Sequence, residues 1–120
     1  YETALGKLEK ALKQDSRLTS AHHTIAILYQ RLGEFDKAEH HFKQAVTFEP
    51  SYSEAQNDYG AFLCGQGRYD ESVTRFLAAI KNPLYRSPAG AYENAGICAN
   101  RIPDTARAEQ YLRKALQINP

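Results

Sequence analysis

The chain has 120 residues, with 15 Lys and Arg set against 14 Asp and Glu, for a formal net charge of +1. So even a balance supplies no basic stripe for nucleic acid. No apolar run approaches the roughly 20 residues of a membrane-spanning helix.

In chain order, the apolar spacing predicts a helix over Glu2–Gln14, then Thr19–Leu32, and a third over Phe35–Phe48. In the third, Phe35, Ala38, Phe42, Ala45 and Val46 recur at three- and four-residue steps, one face of an amphipathic helix. Between the second and third lies Gly33, free to take the positive φ that stops a helix. Pro50 blocks continuation before the next start. Helices follow over Ser53–Gly65 and Arg68–Lys81, punctuated by Gly67. After the connector Asn82–Pro88, Ser87 reads as an N-cap ahead of Pro88 in the first turn, where a missing N–H costs nothing. Pro88–Asn100 and Asp104–Ile118 complete the set. No alternating strand pattern of useful length interrupts them.

These helices repeat. Gly33 and Gly67 are 34 residues apart, and at the same spacing Tyr29 pairs with Leu63, Phe35 with Tyr69, Ala38 with Ser72, Phe42 with Phe76 and Ala45 with Ala79. Further on, Gly96, Ala108, Leu112 and Ala115 match Gly60, Ser72, Phe76 and Ala79 at an offset of 36, which puts two extra residues in the Asn82–Pro88 connector. Upstream, Tyr1, Ala4, Leu8 and Ala11 match Phe35, Ala38, Phe42 and Ala45. A 34-residue self-similarity with small and aromatic residues in fixed slots is the tetratricopeptide pattern of stacked helix–turn–helix units. The expected fold is all-α, a right-handed α-solenoid. Its divisions are residues 1–18 (the second helix of a truncated unit), 19–52, 53–88 with the longer connector, and 89–120. With Pro120 equivalent to Pro50 and no polar-faced cap at either end, the chain reads as a segment of a longer protein.

Cys64 and Cys98 fall in the first helices of consecutive units. Such helices pack side by side, so a bridge is open to them, and closing a loop of this length would stabilise by roughly 3–4 kcal/mol. Two buried reduced thiols are the other reading. His22, His23, His40 and His41 are the only histidines. Neighbours on a helix point about 100° apart, so neither pair chelates one ion. One histidine from each pair could meet, with Glu39 or Asp36 as candidate third ligand, yet the simpler reading is packed or solvated imidazoles and no metal. Asp70 and Glu71 sit at a helix start, where negative charge suits the dipole. No phosphate loop, nucleophile elbow or metalloprotease motif appears, so no catalytic residue, cofactor or small-molecule substrate is expected.

In such stacks the first helices line a concave groove. The residues there not needed for packing are His23, Ile27, Gln30 and Arg31, then Asn57, Ala61 and Cys64, then Glu93, Ile97, Asn100 and Arg101. Apolar Ile27, Ala61 and Ile97 flanked by amides suit a peptide held by shape and hydrogen bonds. The subtype that clamps a chaperone's C-terminal carboxylate needs Lys and Asn at set slots. Here His23, Ile27, Asn57, Ala61 and Glu93 stand there, which disfavours it.

The stretch Asn57-Asp58-Tyr59-Gly60-Ala61-Phe62-Leu63-Cys64-Gly65 resembles the N-N-Y-G-x-F-L-C-G segment of the type IV pilus biogenesis lipoproteins, the pilotins. The connector Asn82–Pro88 is similar to that family's long linker, and Glu93-Asn94-Ala95-Gly96-Ile97-Cys98 to its N-x-G-I/L-C segment. The family-specific likeness covers about Ala55–Arg101. Asp58 departs from the family's frequent Asn, and Pro103 from its helix-turn glycine. The resemblance implies a Cys64–Cys98 disulfide and a lipid anchor at an N-terminal cysteine not included in this chain. It implies a place on the periplasmic face of the outer membrane and a non-enzymatic role promoting assembly of the pilus secretin. The rival expectations are a cytosolic scaffold or co-chaperone domain and the regulatory repeat region of a larger enzyme.

Overall fold

Seven α-helices and no strand make up residues 3–118, the part described by the structure, a computed structural model: α1 (Ala4–Gln14), α2 (Thr19–Arg31), α3 (Phe35–Phe48), α4 (Ser53–Gly65), α5 (Tyr69–Ile80), α6 (Pro88–Ala99) and α7 (Thr105–Ile118). Tyr1, Glu2, Pro120 and the Ala115 side chain, which carried part of the predicted register, lie outside the described residues. The helices pair as hairpins α2–α3, α4–α5 and α6–α7 and stack along one direction, giving extents of 50 × 29 × 19 Å. The Cα radius of gyration is 15.1 Å, whereas a compact domain of this length has about 14 Å. The elongation is that of a solenoid.

Local chemistry sets each boundary. Thr3 caps α1, its hydroxyl accepting the Gly6 N–H at 3.0 Å. At the end of α2, Gly33 takes φ +77° and at the end of α4 Gly67 takes φ +79°. These turns let the N–H groups of Glu34 and Arg68 reach back to the carbonyls of Tyr29 and Leu63, each at 2.9 Å, which closes a Schellman motif. The third hairpin turns differently. With Pro103 in place of glycine, no residue there has a positive φ, and the turn closes through Arg101 N–H to the Cys98 carbonyl and Ile102 N–H to the Ala99 carbonyl. The Asp104 carboxylate then accepts the Ala106 and Arg107 N–H groups at the start of α7. Ser87 holds the N-cap position of α6 with Pro88 behind it, but its hydroxyl makes no capping bond. In the longer connector, Asn82 donates to the Ser51 carbonyl at 2.9 Å and accepts from Leu84 N–H, tying this segment to the connector before it.

The core falls into two apolar clusters that share the α4–α5 hairpin. The first joins Ala26, Phe42, Val46, Ala55, Tyr59, Phe62 and Leu63; the second joins Val73, Phe76, Leu77, Ile80, Ala91, Ala95, Cys98 and Ile102. Small residues let helices within a hairpin approach closely. Ser72 is fully buried and donates to the Gly60 carbonyl at 2.7 Å, while Ser53 donates to the Ala79 carbonyl at 2.8 Å.

Gly60 lies so close to α5 that a Cβ there would meet the Phe76 ring at 2.8 Å, whereas one at Gly96 would find Leu112 at 3.6 Å, an ordinary contact. Gly60→Ala should therefore lower unfolding free energy by about 1–3 kcal/mol through overpacking. Gly96→Ala should leave it unchanged or raise it by up to about 1 kcal/mol through helix propensity. Denaturant melts of the two variants check this; equal effects would show that the Phe76 ring has room to shift.

Candidate functional site

On α4, Asn57, Ala61 and Cys64 are spaced by four and three residues and share one face, while Tyr59 and Leu63 point the other way into the core. Glu93 and Ile97 on α6, with its C-cap residue Asn100, repeat that spacing. Side-by-side packing of these helices brings Ala61, Ile97 and Arg101 together around the cysteines, where they line a pocket of about 260 Å³ with Asn94 and Phe76. Ala61 is exposed and Ile97 is 47% exposed, a large apolar side chain left open to solvent. The Cys64 and Cys98 sulfurs are 2.00 Å apart, with Cα atoms separated by 6.0 Å. Of the two states left open by helix packing alone, the structure has the bridge.

Other predicted groove residues are less concentrated. Glu93 on α6, its C-cap Asn100, and Gln30 and Arg31 on α2 are exposed, and none of the four lines that pocket. Ile27 is half-buried against the first apolar cluster. Asn57 is half-buried, and its Oδ1 lies buried with no hydrogen-bond partner. His23 corrects the sequence reading, which counted it as free of packing. Only 9% exposed, it meets the Tyr52 ring edge-on, holds the Asp58 carboxylate at 2.6 Å through Nε2, and has Nδ1 3.1 Å from the Tyr52 hydroxyl. It buttresses the groove wall by joining α2 to α4. Tyr52 keeps its proton firmly, since burial and the nearby Glu54, Glu49 and Asp58 all raise its pKa.

Sequence reasoning missed a second cross-link on the opposite side. Glu39 of α3 accepts from the Tyr59 hydroxyl at 2.9 Å and from Arg68 at 2.7 Å. The Arg68 guanidinium, with Tyr59 and Lys43 beside it, holds the Glu39 carboxyl below its usual range. Arg68 stands at the N-cap of α5, and reaching back one hairpin is a tertiary act that no local pattern encodes.

The histidines do meet across the α2–α3 hairpin. His22 Nε2 donates to the Ser16 carbonyl at 2.8 Å, and its Nδ1 lies 2.9 Å from Nδ1 of His41, within hydrogen-bond reach. Glu39 is committed elsewhere, and among the described residues no group of three or more His, Cys, Asp or Glu is placed to hold a metal. Burial first, then the neighbouring His22 and His40, push His41 down to about 4 from an ordinary 6.5.

Residues 19–52 and residues 63–120 each match a tetratricopeptide repeat model. Type IV pilus assembly protein PilF of Pseudomonas aeruginosa is 31% identical over 118 residues, covering 98% of this chain and 47% of PilF. A solved structure of Pseudomonas aeruginosa PilF superposes with a TM-score of 0.76 over 93% of this chain and 50% of that one. The crystal structure of PilW, described as a widely conserved type IV pilus biogenesis factor, gives a TM-score of 0.74 at 38% identity, over 94% of this chain and 52% of PilW. MamA, at 20% identity and a TM-score of 0.75, covering 96% of this chain and 66% of its own, shares the fold. The chain spans about half the length of PilF and PilW.

Because the native state holds His41 neutral while the unfolded chain binds a proton below 6.5, its contribution is complete above that value and is lost as pH falls from 6.5 toward about 4. The lowered Glu39 carboxyl loses its contribution only below its ordinary 4.5, so the windows separate. Urea midpoints at pH 7 and pH 5 should fall for the native sequence and fall less for His41→Asn. Identical drops would assign the pH dependence elsewhere.

Proposed function

Because the chain belongs to the tetratricopeptide repeat family, we propose that it works as a rigid, non-enzymatic protein-binding scaffold whose partner is a segment of the type IV pilus secretin. In this reading the full protein is a pilotin, held by an N-terminal lipid anchor at the periplasmic face of the outer membrane, where it promotes secretin assembly. The observation that carries the proposal is the exposed Ala61–Ile97 surface fixed beside the Cys64–Cys98 bridge. Its similarity to PilF and PilW, themselves described as pilus assembly and biogenesis proteins, points the same way. A disulfide persists in oxidising compartments such as the periplasm and is rare in the cytosol, which disfavours a cytosolic scaffold.

The groove offers apolar contact from Ile27, Ala61 and Ile97, amide partners from Gln30, Asn57 and Asn100, and charges of both signs from Glu93, Arg31 and Arg101. That mixture suits an extended or helical peptide rather than nucleic acid or a small substrate. His23 contributes by holding Asp58 rather than by touching the partner. A groove already braced by covalent and ionic cross-links has little ordering left to do on binding, which favours affinity.

Ala61→Glu or Ile97→Glu, each placing a charge on an exposed apolar position, should weaken binding of the secretin periplasmic region by roughly ten-fold or more, the cost of an unpaired charge buried at an interface. Their thermal midpoints should stay near that of the parent. Loss of binding together with an equal loss of stability would contradict the groove assignment.

A further inference from the structure

On the far side of α4 from the groove, a second concavity of about 330 Å³ opens between α3, α4 and α5. Tyr59 and Leu63 line it with Lys43, Arg68, Glu71, Thr74 and Arg75. Its cations are unequally engaged. Arg68 is committed on both branches, to Glu39 at 2.7 Å and to Glu71 at 2.5 Å. Lys43 is 59% exposed and reaches Glu39 only at 3.8 Å. Arg75 lies over the Tyr59 ring at 5.3 Å and donates to the neutral Gln56 amide at 3.3 Å. Among the described residues it pairs with no carboxylate.

Three cations against Glu39 and Glu71 leave one positive charge unmatched at a site whose floor is the buried Tyr59 and Leu63. We propose that this pocket receives the carboxylate of an acidic side chain presented by a protein partner. Arg75 and Lys43 grip the carboxylate. A single negative charge completes the balance. A dianionic phosphate would set its second charge against Glu71, so the carboxylate is the better fit. The Arg75 guanidinium, which donates to a neutral amide through one branch, keeps donors on the other for a carboxylate. The site is independent of the groove: its residues face the opposite side of α4, and its occupant need not be the groove's.

The test is a ¹⁵N-resolved NMR titration of the full protein with acetyl-Leu-Glu-Glu-Leu-amide, with its Gln-Gln counterpart and inorganic phosphate as comparison probes. The acidic peptide should shift the Thr74 and Arg75 resonances saturably, and the Gln peptide and phosphate should bind at least about ten-fold more weakly, as loss of a charge-assisted pair implies. Arg75→Gln should weaken the acidic peptide by roughly ten-fold and Lys43→Ala by a few-fold. Since Lys43 is an exposed side chain, its variant should unfold at the parent's temperature, which separates binding from folding. The proposal is overturned if the acidic peptide gives no saturable shift at these residues, if both variants bind it as the parent does, or if phosphate binds as tightly as the peptide.

Discussion

The stacking of Phe42 on Tyr59, ring centroids 5.5 Å apart and planes 3° from parallel, joins one hairpin to the next and carries much of the molecule. A hairpin of two amphipathic helices leaves an apolar face open until a neighbour covers it, so each unit of a solenoid depends on the next. Phe62 closes on Phe42 from the same helix as Tyr59, at 5.5 Å. On the other side of the α4–α5 hairpin, Phe76 and Val73 are 1% exposed in the second cluster. Large buried side chains of this kind each contribute about 1.5–3 kcal/mol. The central hairpin thus supplies side chains to both clusters, and α4 is immobilised from two directions.

With Tyr59, Phe62 and Leu63 turned inward, the helical period puts Asn57, Ala61 and Cys64 on the opposite face, where Ala61 is exposed and the other two are half-buried. Two cross-links then fix that surface relative to its neighbours. His23 to Asp58 ties α2 to α4, and Cys64 to Cys98 ties α4 to α6. On the second helices, Glu39 with Arg68 ties α3 to the start of α5, and Arg107 with Asp70, at 3.1 Å, ties α7 to α5. Exposed ion pairs add little stability singly. Their consequence here is geometric, since they hold adjacent units in register.

What was legible in the sequence was whatever local chemistry decides. Gly33 and Gly67 take the positive φ that their places in the repeat require, and the predicted helices match the observed ones to within a residue or two. The small and aromatic slots Ala38, Phe42, Ser72 and Phe76 are buried as the register implies. What escaped is tertiary. His23 occupies a concave-face slot, yet its partner Asp58 lies one position off the 34-residue register and Tyr52 sits in a connector, so nothing along the chain links the three. Asp58, which departs from the related family's frequent Asn, supplies the anion for that contact. Ser87 stands in the capping position without making the bond, and Pro103 forces a hairpin turn closed without a positive φ. Both depend on backbone geometry that residue preference does not determine.

The central claim is that the Ala61–Ile97 surface meets the secretin. A photo-reactive amino acid placed at Ala61 in the full-length protein, in a host that assembles type IV pili, tests it most directly, with the exposed outer position Thr47 as reference. The account predicts a crosslinked adduct with a secretin subunit from position 61 and little from position 47. Equal adducts from both positions, or adducts from 61 that contain no secretin, would contradict it.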